Sequence, residues 1–95
     1  MAPLIVKLYS LPGSQCPGCK ATKREFSHPK KRHIPYEEIR LDTTPGAVDY
    51  VKSLGYVQSP VVVVDYGDGV TLSWSGHQPT KIDQLRATLS ETLSD

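Results

Sequence analysis

Residues 4–19 read Leu4-Ile5-Val6-Lys7-Leu8-Tyr9-Ser10-Leu11-Pro12-Gly13-Ser14-Gln15-Cys16-Pro17-Gly18-Cys19, and the fold turns on them. The apolar, β-branched run 4–9 reads as a strand, and residues 10–14 supply loop chemistry. Pro17 suits the first position of a helix, where its missing N–H would have had no partner. The good helix formers of residues 20–26 follow it, so a helix opens at the cysteine pair. It should end or kink at His28-Pro29, where the proline ring clashes with the preceding turn. Over residues 36–41, Ile39 and Leu41 alternate with Glu38 and Arg40, the period of a half-buried strand. Strand, helix and strand make one βαβ unit.

Further along, Thr44-Pro45 reads as a cap and first-turn proline. Val48, Val51 and Leu54 recur at helical spacing until Gly55 stops the helix. Ser59-Pro60 leads into the valine run 61–64; residues 65–69 turn the chain, and Val70, Leu72 and Trp74 alternate back, predicting a β-hairpin. Thr80 with Asp83 resembles a capping box, and Ile82, Leu85, Leu89 and Leu93 form one apolar stripe. The expected order is β-α-β-α-β-β-α, one α/β domain over residues 1–95, with the runs 4–6 and 61–64 at the sheet centre. No repeat, linker or low-complexity segment interrupts it.

Composition narrows the function classes. With 95 residues, 38% of them hydrophobic and 22% charged, the chain suits one core and is not disordered. Eleven Lys plus Arg against ten Asp plus Glu give a net charge of +1, too balanced for a dedicated nucleic-acid binder. No charged start is followed by a leader-like apolar stretch, and no apolar run approaches the ~20 residues that cross a bilayer. A cytoplasmic, membrane-free protein is expected. In a reducing compartment Cys16-Pro17-Gly18-Cys19 reads as catalytic or metal-binding before it reads as a structural bridge.

A thiolate attacks a disulfide, so an exchange site needs a cysteine with a lowered pKa. At a helix N-terminus, unpaired N–H groups and the helix dipole favour the charge on Cys16, and Lys20, Lys23 and Arg24 add to it. Cys16 is the candidate nucleophile. Cys19, one helical turn on, is the candidate resolving thiol. Two other readings compete. Cys16, Cys19, His28 and His33 form C-x2-C-x8-H-x4-H, but the middle gap is short of the ~12 residues of a zinc finger. Inert core thiols are the other.

With CxxC after the first strand of a βαβ unit and Ser59-Pro60 before a valine-rich strand, the chain resembles the thioredoxin superfamily, specifically its glutaredoxin-like members. Residues 47–51, 54–62 and 74–79 (Trp74-Ser75-Gly76-His77-Gln78-Pro79) resemble the NrdH-redoxins. That resemblance implies a thioredoxin/glutaredoxin-like fold, with a four-stranded mixed sheet flanked by three helices. It implies a thiol-disulfide oxidoreductase that reduces protein disulfides, with electrons taken from NADPH through a flavin enzyme, thioredoxin reductase. The recipient would be the large subunit of a class Ib ribonucleotide reductase. The carrier itself would bind no cofactor and act as a monomer in the cytoplasm, encoded by a bacterium or by a phage.

By the same resemblance, Pro60 has a cis peptide bond and packs beside the cysteines, leaving the Ser59 backbone free to pair with an incoming chain. Residues Trp74, Ser75, Gly76, His77, Gln78 and Pro79 would lie near the site and select the partner. Strand periodicity alone makes Trp74 a core residue, and Tyr9 fits either a place near the cysteines or plain core. Glutathione-using relatives carry Gly-Gly and a Ser/Thr-Asp pair where this chain has His77-Gln78-Pro79-Thr80, so weak glutathione binding is expected; a glutathione-dependent glutaredoxin is the alternative, and a zinc-binding or interaction module without redox turnover is the alternative of another class. The chain departs from the family in its CxxC interior, Pro17-Gly18 in place of Val or Met followed by Gln. It departs also in the segments 27–33 and 66–71, which look longer and are expected as surface insertions. Lys20, Lys23, Arg24, Lys30, Lys31 and Arg32 fall in one thirteen-residue segment. They form either a solvated face or a surface that steers acidic partners toward Cys16.

Overall fold

The computed structural model describes residues 4–67 and 69–93. Seven elements follow one another: β1 (Ile5–Ser10), α1 (Pro17–Phe26), β2 (Glu37–Arg40), α2 (Ala47–Ser53), β3 (Val61–Asp65), β4 (Thr71–Ser75) and α3 (Pro79–Leu93). This is the expected order. The strands form one mixed sheet, β2-β1-β3-β4, with β1 parallel to β2 and antiparallel to β3. The two valine-bearing strands hold the centre. Tyr9 stands opposite both Ile39 and Val61, and Val62 opposite Trp74.

Alternation along β3 divides the interior. Val62 and Val64 join Val6, Leu8, Phe26, Ile34, Trp74 and the α3 stripe Ile82, Leu85 and Leu89 on the face shared by α1 and α3. Val61 and Val63 face the other way, against Tyr9, Ala47 and Val51. With both faces covered, a strand needs apolar side chains at every position, which accounts for four valines in a row. The side chain of Leu93, the last expected member of the α3 stripe, lies outside what is described, and Asp68, expected in the turn 65–69, lies outside the described residues.

Three local expectations are corrected. Helix α2 begins at Ala47, not at Thr44-Pro45: Gly46 takes a left-handed φ of 81°, which breaks helical geometry immediately before it. Its buried face is Ala47 and Val51, whereas Val48 and Leu54 are exposed, because a seven-residue helix covers only part of its sheet face. Helix α3 begins at Pro79, with the Ile82 N–H donating to Gln78 O at 3.1 Å. Thr80 is therefore already inside the helix, and Asp83 pairs with Arg86 rather than closing a capping box. On the edge strand β4 only Trp74 is buried, while Leu72 and the preceding Val70 are exposed.

Among the described residues Arg86 is the one charged side chain that is buried, and it ties α3 to α1. It donates to Glu25 O at 2.7 Å, to Arg32 O at 3.1 Å and to the Asp83 carboxylate at 2.6 Å. The Ile34 N–H donates to Phe26 O at 2.8 Å, so residues 27–33 leave α1 and return as a closed surface loop. Pro29 to His33 are exposed in it. Two of the six clustered basic residues are partly neutralised: Lys23 pairs with Glu38, and Lys31 approaches Glu25 and Asp83 at 3.9 Å each.

The Glu38 carboxylate also accepts from the buried Ser10 hydroxyl at 2.6 Å, linking β2 to β1. Hydrogen bonds from Lys23 and then Ser10 hold its pKa below the ordinary value of 4.5. A carboxyl lowered in the folded state stabilises the fold above its unfolded pKa and loses that contribution as pH falls through the folded value. Urea midpoints measured from neutral pH downward should therefore fall below about pH 4.5. Glu38→Gln should show a shallower acid decline than the parent, and parallel declines would remove Glu38 from the account.

Candidate active site

The site lies where β1 hands the chain to α1. After Ser10 the loop turns through Gln15 N–H to Pro12 O, at 2.8 Å, and delivers Cys16 to the N-cap of α1 with Pro17 at its head. Cys16 Sγ takes the part that a serine or aspartate oxygen usually plays there: it accepts from the Cys19 N–H at 3.1 Å. No acidic residue occupies the first turn to oppose a negative sulfur.

Cys16 and Cys19 are joined as a disulfide, with Cα atoms 5.2 Å apart. Cys19 is fully buried and Cys16 is 4% exposed, so an incoming group meets Cys16 first. The Leu11 N–H points at Cys19 Sγ from 3.5 Å and the Ser59 hydroxyl donates to Cys16 Sγ at 3.2 Å. Each sulfur thus has a donor from outside the helix.

The Ser59-Pro60 bond is cis. A Cβ built on Gly18 would lie 3.2 Å from Pro60 Cδ and 3.7 Å from both the His77 N and Cβ atoms. The missing side chain of Gly18 is what lets Pro60 and His77 close against the CxxC turn. The Gly76 N–H donates to Pro60 O at 2.8 Å, binding the end of β4 to the same corner, and Gly76 needs its φ of 81° to make that turn. The amide of Gln78 donates to Ser75 O at 2.8 Å, and Pro79 starts α3.

Of the residues singled out in the sequence, Cys16, Pro17, Gly18, Cys19, Ser59, Pro60, Gly76 and His77 come together. Trp74 is buried in the core with Ile82 and Leu85, the position its strand periodicity gives, whereas Ser75 and Gly76 are half-buried and His77 is exposed. Tyr9 is core as well, its ring 5.5 Å from that of Tyr50 and its hydroxyl pKa raised by burial.

The hydroxyl of Ser59, the amide of Leu11 and the clearance over Gly18 are features that sequence reasoning missed. Contacts made across 43 and 8 residues leave no periodic signature. An apolar cleft of about 170 Å³ beside the pair, lined by Leu11, Leu41, Val51, Tyr56, Val57 and Ser59, was equally invisible. As for zinc, His28 Nδ1 accepts from the Lys30 N–H at 3.1 Å and His33 is exposed. Among the described residues no cluster of three or more His, Cys, Asp or Glu could hold a metal. Nor, among them, is any helix long and apolar enough to cross a membrane.

The glutaredoxin family profile matches residues 6–67, spanning the cysteine pair and the cis-proline. The chain belongs to the glutaredoxin family. This glutaredoxin is 37% identical over 75 residues to the glutaredoxin-like protein NrdH of Salmonella typhimurium, covering 79% of this chain and 83% of that one. To NrdH of Escherichia coli K12 it is 38% identical over 72 residues, 76% and 79% of the two chains. The solved NrdH-redoxin of E. coli, described as glutaredoxin-like with a thioredoxin-like activity profile, superposes with a TM-score of 0.67 at 35% identity. The superposition covers 84% of this chain and 92% of that one. Fold and homology together make this glutaredoxin a thiol-disulfide oxidoreductase with a thioredoxin/glutaredoxin-like fold.

Proposed function

We propose that this glutaredoxin is an NrdH-type electron carrier that reduces protein disulfides. Cys16 thiolate attacks one sulfur of the substrate disulfide; the other leaves with the bonding electrons and takes a proton. Cys19 then loses its proton and attacks Cys16 Sγ, releasing the second substrate thiolate. The substrate gains two electrons and two protons, and the pair becomes the Cys16–Cys19 disulfide. Electrons return from NADPH through thioredoxin reductase, a flavin enzyme, so the carrier needs no bound cofactor of its own. The acceptor is the large subunit of a class Ib ribonucleotide reductase, in the cytoplasm of a bacterium or of a cell infected by a phage that encodes the carrier, which works as a monomer.

The observation that carries this reading is the CxxC pair at the head of α1 in a chain 38% identical to NrdH. The docking side favours a polypeptide over glutathione: Leu11 and Ser59, which each donate to a cysteine sulfur, also line an apolar cleft able to take a side chain. NADPH oxidation during insulin reduction tests it, run in parallel with thioredoxin reductase and with glutathione plus glutathione reductase. Turnover with the first alone is expected. Turnover with the second alone would make this a glutathione-dependent glutaredoxin.

Lys20, Arg24, Lys30 and Arg32 remain exposed on and after α1, and they steer acidic partner surfaces toward the pair. Raising salt from about 50 to 500 mM, which shrinks the screening length severalfold, should slow reduction of an acidic protein disulfide and leave a small neutral disulfide unaffected. Equal slowing of both would remove steering.

A further inference from the structure

We propose that Ser59 is a third catalytic side chain of this site: its hydroxyl donates to Cys16 Sγ and holds that sulfur as the thiolate. The inference rests on the assignment of Cys16 as nucleophile. Two donors converge on the sulfur, the Cys19 N–H at 3.1 Å and the Ser59 hydroxyl at 3.2 Å. The first is backbone and comes with any residue that caps α1. The second depends on the identity of residue 59, since alanine or valine there would offer no donor.

Because Cys16 is 4% exposed, water cannot readily replace a lost protein donor. A hydrogen bond to the sulfur strengthens as the sulfur takes charge, so the hydroxyl favours the thiolate over the thiol. Among the described residues, the groups around the pair that can carry charge are Cys19 and Lys20 on α1, His77 in the β4–α3 loop and, across the cleft that Ser59 and Leu11 line, Lys52 on α2. The stem of Lys20 lies along Gly13 and His77 beside Gly18, and Lys20, His77 and Lys52 are all exposed. Ser59 acts on the sulfur by direct contact, where these act through solvent.

Stabilising the reduced thiolate also disfavours the disulfide relative to the dithiol. Ser59→Ala should therefore bind protons more tightly at Cys16 and be a stronger reductant. The ionisation of Cys16 is followed by thiolate absorbance and by iodoacetamide alkylation against pH, with the modified residue located by peptide mass. In Ser59→Ala the midpoint should rise, and alkylation well below it should fall about threefold to tenfold. The limiting rate at high pH should rise by no more than about threefold, since nucleophilicity follows pKa with a slope of only about 0.4 to 0.5. The potential should become more negative by about 15 to 30 mV, the same fold-change at ~30 mV per tenfold.

Ser59→Thr, which keeps the hydroxyl, should restore midpoint and potential. A Ser59→Ala midpoint equal to the parent's, with Cys16 still the residue alkylated, would overturn the role of Ser59 and leave the nucleophile assignment standing. Alkylation of Cys19 first in the parent would overturn the assignment of Cys16 and the inference with it.

Discussion

Cys16→Ser is expected to abolish protein disulfide reduction, a loss of about a thousandfold or more, because the other thiol at the head of α1, Cys19, is fully buried and meets no incoming disulfide. Cys19→Ser is expected to fail differently. Its Cys16 still attacks, but nothing resolves the product, so a stable mixed disulfide accumulates on Cys16. Non-reducing mass spectrometry after mixing with a disulfide substrate separates the two: an adduct on Cys16 in Cys19→Ser and none in Cys16→Ser. The asymmetry follows from burial, since Cys19 is fully buried and reaches only Cys16, whereas Cys16 retains an opening to solvent. An adduct on Cys19 in Cys16→Ser, formed at the parent's rate, would reverse the two roles.

The largest stability effect is expected at Arg86. Its guanidinium satisfies two backbone carbonyls, Glu25 O at the end of α1 and Arg32 O in the 27–33 loop, and pairs with the Asp83 carboxylate. Arg86→Met keeps much of the apolar stem and removes every donor. Arg32 O then loses its donor, Glu25 O is left with the longer bond from the His28 N–H at 3.3 Å, and a pairing is broken from its buried side. Asp83 and Glu25 are partly solvated, which moderates the cost to about 2 to 3 kcal/mol. For a domain of this size that is a fall in Tm of roughly 10 to 20 °C. Thermal unfolding followed by circular dichroism checks it, and a change under about 2 °C would mean that water replaces the lost donors. Below the transition the rate per folded molecule should match the parent, because Arg86 contacts neither sulfur.

The strands, α1 and the stripe of α3 were legible because their signals are periodic or local: four consecutive valines, Pro17 after Cys16, and Ile82, Leu85 and Leu89 one turn apart. The start of α2 was not, because Thr44-Pro45 is a good cap pattern that loses to a left-handed Gly46, and nothing local in the sequence announces the competition. Val48 and Leu54 share the helical spacing of the buried Val51, and Val70 and Leu72 the alternation of the buried Trp74, yet how far a neighbouring element extends decides burial, and a short helix and an edge strand leave them exposed. In the site, the cysteine pair and its place on a helix were local facts. The Ser59 hydroxyl, the Leu11 amide and the approach of Pro60 and His77 to Gly18 depend on how β1, β3 and β4 are brought side by side, and became visible only in the assembled sheet.

The most direct test of the central claim is a single turnover without any reductase. The fully reduced chain is mixed with excess insulin, and thiols are counted on both partners. Transfer of one electron pair predicts one insulin disulfide opened per chain, loss of both protein thiols, and a Cys16–Cys19 link in the peptide map. Retention of both thiols, or arrest as a lasting mixed disulfide in the parent protein, would contradict it.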